Sequence, residues 1–180
     1  MRSRYVRSRC QLKPSSADTF VFARAVTYAT LFVGLLLVFL PGQILESSGI
    51  VRPATFGPLE FAGIVIGVGG AALALWCIVT FALVGKGTPA PFDPPRRLVV
   101  GGPYRYVRNP MYLGAGLALG GAALVYWSAA VLIYVALFLG ATHLFVLVYE
   151  EPTLARLFGD EYAAYRTRVH RWLPRIRQTG

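Results

Sequence analysis

From residue 111 to residue 149 the chain carries no Asp, Glu, Lys or Arg, and this stretch constrains the fold more than any other. As one helix it would run ~60 Å, about twice the ~30 Å hydrocarbon thickness of a bilayer. It must therefore form two spans joined by a tight turn. Tyr126-Trp127-Ser128 is the expected turn, because Tyr and Trp favour the membrane–water interface. Gly114, Gly116, Gly120 and Gly121 give the first of the two helices a small face for close packing.

Two further apolar runs precede this one. Residues 20–40 are interrupted early by Arg24, whose head group can snorkel towards lipid headgroups. This run is long and lacks a clear small-x-small exit before Pro41-Gly42, so a retained span is expected rather than a cleaved signal peptide. Residues 61–84 are uncharged over a length that crosses a bilayer core, and Gly63, Gly67, Gly70, Ala71 and Ala74 recur at near-helical spacing, which suits close helix packing. Between the runs, residues 41–60 have the Pro, Gly and Ser content of a loop, and residues 85–110 form a Pro- and Gly-rich connector. After Pro152, Leu154, Leu157, Phe158, Tyr162, Tyr165, Val169 and Trp172 recur every three or four residues with arginines between them. That pattern predicts an amphipathic helix over 152–172, with a break at Gly159-Asp160, lying on the membrane surface. It serves either as a lid over a ligand or as a plain anchor.

The expected fold is thus an all-α membrane protein with about four transmembrane helices, over about 20–40, 61–84, 111–127 and 129–149, plus a C-terminal amphipathic interfacial helix. Residues 1–19 form a basic tail, and 20–180 a single membrane domain. A hydrophobic content of 56% and a mean hydropathy of +0.55 exclude an ordinary soluble domain. The net charge of +10 does not point to nucleic acid, because the cations flank apolar spans, where they meet anionic lipid headgroups. Of the 18 Lys and Arg residues, six lie at or before Arg24, five between 85 and 110, and six after Glu151; Arg52 alone falls in a loop assigned to the other side. By the positive-inside rule both termini and the connector are expected to be cytoplasmic. The two cysteines, Cys10 in the basic tail and Cys77 in an apolar run, have no metal-ligand spacing and are not expected to pair.

The densest chemistry lies in Gly101-Gly102-Pro103-Tyr104-Arg105-Tyr106-Val107-Arg108-Asn109-Pro110-Met111-Tyr112. A plain membrane protein needs only a short polar turn there; two arginines, three tyrosines and an amide suggest a ligand site. Gly-Gly-Pro disfavours helix, whereas Pro110 suits the first turn of the next helix, with Asn109 as its N-cap. Arg108 and Asn109 then sit at a positive helix end that favours anions. Glu150 and Glu151 stand at the end of the fourth span, where carboxylates need partners, and the connector arginines can supply them. Such a pair fixes helix ends as well as it binds ligands. His143 precedes Glu150 by about two helical turns and can face the same side, whereas His170 among its arginines reads as a surface residue.

The 101–112 stretch resembles the Arg-His-Pro-x-Tyr signature of integral-membrane methyltransferases, a group that includes isoprenylcysteine carboxyl methyltransferases and phospholipid N-methyltransferases. Glu150-Glu151 followed by Leu154, Phe158-Gly159, Tyr162 and Tyr165 resembles the same group's second motif, so the likeness covers roughly the last half of the chain. The resemblance implies S-adenosylmethionine-dependent methyl transfer to a lipophilic small molecule or lipid-anchored acceptor bearing a carboxylate, thiol or amine. It makes Arg108, Asn109 and His143 the candidate catalytic residues. It makes Tyr104, Arg105, Arg108, Asn109, Pro110, Tyr112, Glu150 and Glu151 the candidate cofactor-binding set, with no metal. The sequence departs from the group at Asn109, which stands where the group has histidine and which cannot serve as a general base. Two other readings fit the same apolar frame: a sterol-reductase-like NADPH enzyme, and a non-catalytic membrane scaffold or transport accessory in which the Arg and Glu residues only pair.

Overall fold

The computed structural model describes residues 27, 30, 31, 33–50, 57–85 and 97–174. The basic tail with Cys10, Arg24, the Arg52 loop and the connector from 86 to 96 lie outside the described residues. Everything described is helix, turn or loop, with one isolated parallel bridge between Val107 and His170. Among the described residues, the α-helices with defined bounds are α1 (Leu40–Ser47), α2 (Pro58–Thr80), α3 (Pro110–Val125), α4 (Ala129–Phe145) and α5 (Glu151–Arg168). Pro58–Thr80 is long and apolar enough to cross a membrane, as is the continuous helix Ala129–Arg168, while Gly34–Ser47 and Pro110–Val125 are apolar but shorter.

The α2–α3 pair is built from glycine. A methyl group at Gly121 would lie 2.5 Å from the Gly63 oxygen and from the Gly67 Cα, and one at Gly70 would lie 2.5 Å from the Ala118 nitrogen and 2.6 Å from the Gly114 oxygen. The two backbones therefore touch directly, as small residues allow where the lipid supplies no hydrophobic drive between helices. Gly63, Gly67 and Gly70 of α2 meet α3 at Gly114, Ala118 and Gly121, whereas Gly116 faces Leu139 of α4 and Gly120 has open space around it. The α3–α4 turn falls at Tyr126-Trp127-Ser128, where it was expected. Ser128 Oγ caps α4 by accepting from Val131 N at 3.2 Å. Trp127 adopts φ 50, an uncommon conformation for a bulky residue, and its indole N–H is held by buried Glu60. Glu60 also accepts from Gly57 N at 2.8 Å, so one carboxylate ties the start of α2 to the far turn.

Two prolines do not end helices as the loop and boundary readings required. The helix around 34–47 runs through Pro41-Gly42, and α4 continues into α5 through Pro152. In both places a π turn comes immediately before: Gly34–Phe39, and Val146–Glu150. At their ends Leu40 N bonds Leu35 O, and Glu151 N bonds Val146 O, five residues back instead of four. The next position in each case is the proline, whose missing N–H falls where the bonding register switches to α. The carbonyl stranded by the first switch, Leu36 O, accepts from Tyr134 OH of α4 at 2.9 Å.

The break within α5 lies at Gly159, which has φ 46 and ψ −121, a conformation open to glycine and costly for other residues. The apolar stripe of α5 does not lie free for a membrane surface. Tyr162, Tyr165 and Val169 bury against Leu98 of the connector, with Leu154 and Phe158 packed on them, and only Leu157 of the predicted stripe within α5 is largely exposed. The helix ends at Arg168, four residues before the predicted limit, and the chain then turns extended at Val169, with φ −124 and ψ 126.

Candidate functional site

The connector, the α4–α5 junction and the segment after α5 converge on one cluster. Gly102 at φ 57 lets the chain pass over Thr80, and the 3₁₀ turn Gly102–Arg105 follows. That turn buries Tyr104 against Cys77 and Val99, beside Phe81. Burial pushes the Tyr104 phenol well above its ordinary pKa, which keeps the ring neutral. Tyr165 OH donates to Tyr104 O at 2.6 Å, locking the connector onto α5. The segment after α5 then runs back alongside the motif: Arg108 N donates to His170 O at 2.9 Å and Asn109 N to Arg171 O at 3.3 Å.

Charge completes the junction. Glu151, buried at the first position of α5, accepts from Arg108 Nη1 at 3.1 Å and from Arg171 through Nε at 2.7 Å and Nη2 at 2.8 Å. The Arg171 contact is bidentate, the strong form of this pairing. These hydrogen bonds hold the Arg171 guanidinium above its ordinary pKa. Arg108 Nη1 also reaches Tyr162 OH at 3.4 Å, while its Nε is buried without a partner. One residue earlier, Glu150 Oε2 accepts from Tyr112 OH at 3.0 Å, and no cation pairs with this carboxylate among the described residues. Adjacent acids thus have different surroundings: Glu151 is neutralised by two arginines, and Glu150 is held by a phenol.

The structure brings together Arg108, Asn109, Tyr112, Glu150 and Glu151 from the predicted set, with Pro110 at the first turn of α3 and Tyr104 buried beneath the connector. Asn109 occupies the N-cap position, but its side chain makes no capping hydrogen bond. Instead Nδ2 donates to Arg171 O at 3.5 Å, because the returning segment offers a carbonyl there. Arg105 is not in the cluster: it is exposed and stacks 4.6 Å from the Tyr106 ring centroid. His143 does not share a partner with Glu150. Its Nδ1 accepts from Trp172 Nε1 at 2.9 Å, and the π turn between the two residues adds one residue to a helical turn, roughly a 100° change in facing.

Arg171 and Trp172 were missed as site residues. Trp172 was read only as the last apolar position of the predicted helix, although it lies beyond the observed helix end, and Arg171 is one arginine among several in its stretch.

No solved structure matches the chain. Residues 101–112 and the acids at 150–151 fall within the 59–161 region that matches the phospholipid methyltransferase family. The chain is also similar to methanethiol S-methyltransferase 1 of Bradyrhizobium diazoefficiens, 38% identical over 101 residues, which cover 53% of this chain and 31% of that relative. It thus spans under a third of the length of that curated relative. With the family match covering more than half its length, an apolar helical frame around it and both motifs meeting at one junction, the chain belongs to the phospholipid methyltransferase family of membrane methyltransferases.

Proposed function

We propose that this chain transfers a methyl group from S-adenosylmethionine to a thiol acceptor that reaches the site from the lipid phase. The observation that carries the reading is the junction itself, where Arg108 meets Glu151 and Tyr112 meets Glu150. The residues present fit such a methyl donor, which has a carboxylate, an amino group and ribose hydroxyls to recognise. Arg108 keeps a buried N–H that lacks an acceptor, suited to a carboxylate. Glu150 has no cation partner among the described residues, so it suits hydroxyls or an ammonium. Half-buried Tyr112 offers an aromatic face towards a cation. Arg171 and Arg108 together hold Glu151, and so fix the start of α5 and the reach of Glu150.

When bound, the cofactor supplies an electrophilic methyl group on a sulfonium, and the chain's own work is to hold the donor, orient the acceptor and exclude water. Asn109 cannot take a proton near neutral pH. That favours an acceptor that arrives as an anion, a carboxylate or a thiolate whose proton has already gone to solvent, over an ammonium, which would have to lose its proton in the site. The methanethiol named for the relative supports the thiol. We further propose four membrane spans within a single domain over 20–180, with both termini and the junction on the cytoplasmic side, as the distribution of Lys and Arg supports.

Isothermal calorimetry of the detergent-purified full chain tests the reading. S-Adenosylmethionine or its demethylated product is expected to bind at roughly micromolar strength, about −8 kcal/mol. Glu150→Gln, which keeps the shape and a partner for Tyr112, is expected to weaken binding about tenfold or more. Binding of NADPH in place of the methyl donor would support a reductase. Folded protein that binds neither would leave the Arg–Glu cluster as a structural pair in a scaffold.

A further inference from the structure

Arg108 and Glu151 each have only 10% of their side-chain surface exposed, yet they meet through a single N–H, at 3.1 Å. A guanidinium and a carboxylate left to themselves at such depth favour the bidentate pair, with two parallel N–H contacts. Here that two-point contact belongs to Arg171, whose Nε and Nη2 reach Oε1 and Oε2 at 2.7 and 2.8 Å although its side chain is the more exposed, at 26%. Arg108 shares only Oε1, and its buried Nε has no acceptor among the described residues. The grip of Arg171 does not depend on Arg108, because the segment that carries it is tied down on two further sides. Its backbone is held by the motif, with Arg108 N donating to His170 O and Asn109 N and Nδ2 donating to Arg171 O. The next residue, Trp172, donates from Nε1 to His143 Nδ1 of α4 at 2.9 Å.

We infer that Arg171 is a positioning residue: by occupying both oxygens of Glu151 it keeps the Arg108 guanidinium from closing on that carboxylate, and so leaves Arg108 N–H groups for the carboxylate of the methyl donor. This rests on the role proposed above for Arg108, and it gives Arg171 no contact with the donor. A guanidinium has five N–H groups, and those turned to Glu151 are lost to a second carboxylate. Removing Arg171 therefore does more than lower the positive charge of the junction. It opens Oε2 of Glu151, and Arg108 then turns onto Glu151 as the two-point pair that Arg171 now forms. The donor would meet an arginine already engaged, and the loss would fall on the one group of the donor that Arg108 recognises.

Calorimetry of the detergent-purified full chain with two ligands tests this through binding alone. One is S-adenosylmethionine; the other is its decarboxylated form, which keeps the sulfonium, the amino group and the ribose but lacks the carboxylate. The parent is expected to prefer the carboxylate-bearing donor by about tenfold. Arg171→Gln is expected to weaken that donor about tenfold and the decarboxylated one less than about twofold, so that the preference disappears. Arg171→Lys, which keeps the charge without the planar fork, is expected to fall between the two, and it carries the comparison should Arg171→Gln not elute as monodisperse protein. A purely structural role would weaken both ligands alike, and that result would overturn the inference. So would a parent without the preference, or an Arg171→Gln protein that keeps it. A parent that binds neither ligand would overturn the functional reading, and this inference with it, whereas equal weakening of both ligands leaves that reading standing.

Discussion

The α2–α3 seam and the junction at Glu150-Glu151 hold the same chain together in opposite ways. In the seam the backbones of Gly63, Gly67, Gly70, Gly114 and Gly121 meet with no side chain between them, so its stability comes from shape. At the junction Glu151 gathers Arg108 and Arg171 across sequence separations that no local rule connects, so its stability comes from directional charge. The seam tolerates no added bulk and the junction no lost charge. A chain built this way keeps a rigid apolar frame while leaving one end chemically addressable, and the candidate site lies at that end.

The largest effect expected from breaking this contrast is at the seam. Gly121→Val places a side chain where even a methyl lies 2.5 Å from backbone atoms of α2, and the expected cost is roughly 3 kcal/mol or more. Thermal unfolding in detergent, followed by circular dichroism, would show the drop, and an unchanged midpoint would mean the helices do not meet as described. Next comes the junction: Glu151→Gln leaves two guanidinium groups without their carboxylate, at roughly 2 kcal/mol. Unlike the seam variant, it should stay folded and lose ligand affinity in the calorimetric assay. Full affinity in a folded Glu151→Gln protein would separate the Arg clamp from the site.

A smaller effect is expected outside both regions, where α4 meets the 34–47 helix. Tyr134→Phe leaves Leu36 O at the π turn without its donor, at about 1 kcal/mol. The same unfolding assay would register it, and a null result would argue that the turn finds another donor. The smallest change sharpens the seam itself. Gly120→Ala meets no atom within 4 Å, so it should be neutral or stabilising by up to about 1 kcal/mol through helix propensity. Opposite signs at the neighbouring Gly120 and Gly121 would establish that contact, and not glycine content, sets the behaviour of the seam.

Much of this was legible beforehand because it depends on local or periodic information. The charge-free stretch required two helices, Tyr126-Trp127-Ser128 marked their turn, Pro110 opened α3, and the glycine spacing announced a close helix pair. Arg108 was expected to pair with the acids at 150–151, since carboxylates at the end of an apolar helix need partners, and it pairs with Glu151, while Glu150 takes the Tyr112 hydroxyl instead. The prolines misled for a physical reason: a π turn moves the missing N–H to a place where the ladder is already switching register, and nothing in the residues around Pro41 or Pro152 announces such a turn.

What the amino-acid sequence by itself determined is the apolar helical frame, the small-residue faces and the chemistry available in the connector, because hydrophobic length, glycine spacing and residue type act over a few turns of chain. Only the tertiary structure decided which groups share that chemistry. It sent the segment after Arg168 back along Val107–Asn109 and gave Glu151 a second arginine. It also turned Asn109 to a carbonyl instead of its own helix, and set His143 against Trp172. Each of these contacts joins residues far apart in the chain, where the partner is chosen by packing and by the need to satisfy buried charge rather than by any pattern in the residues between them.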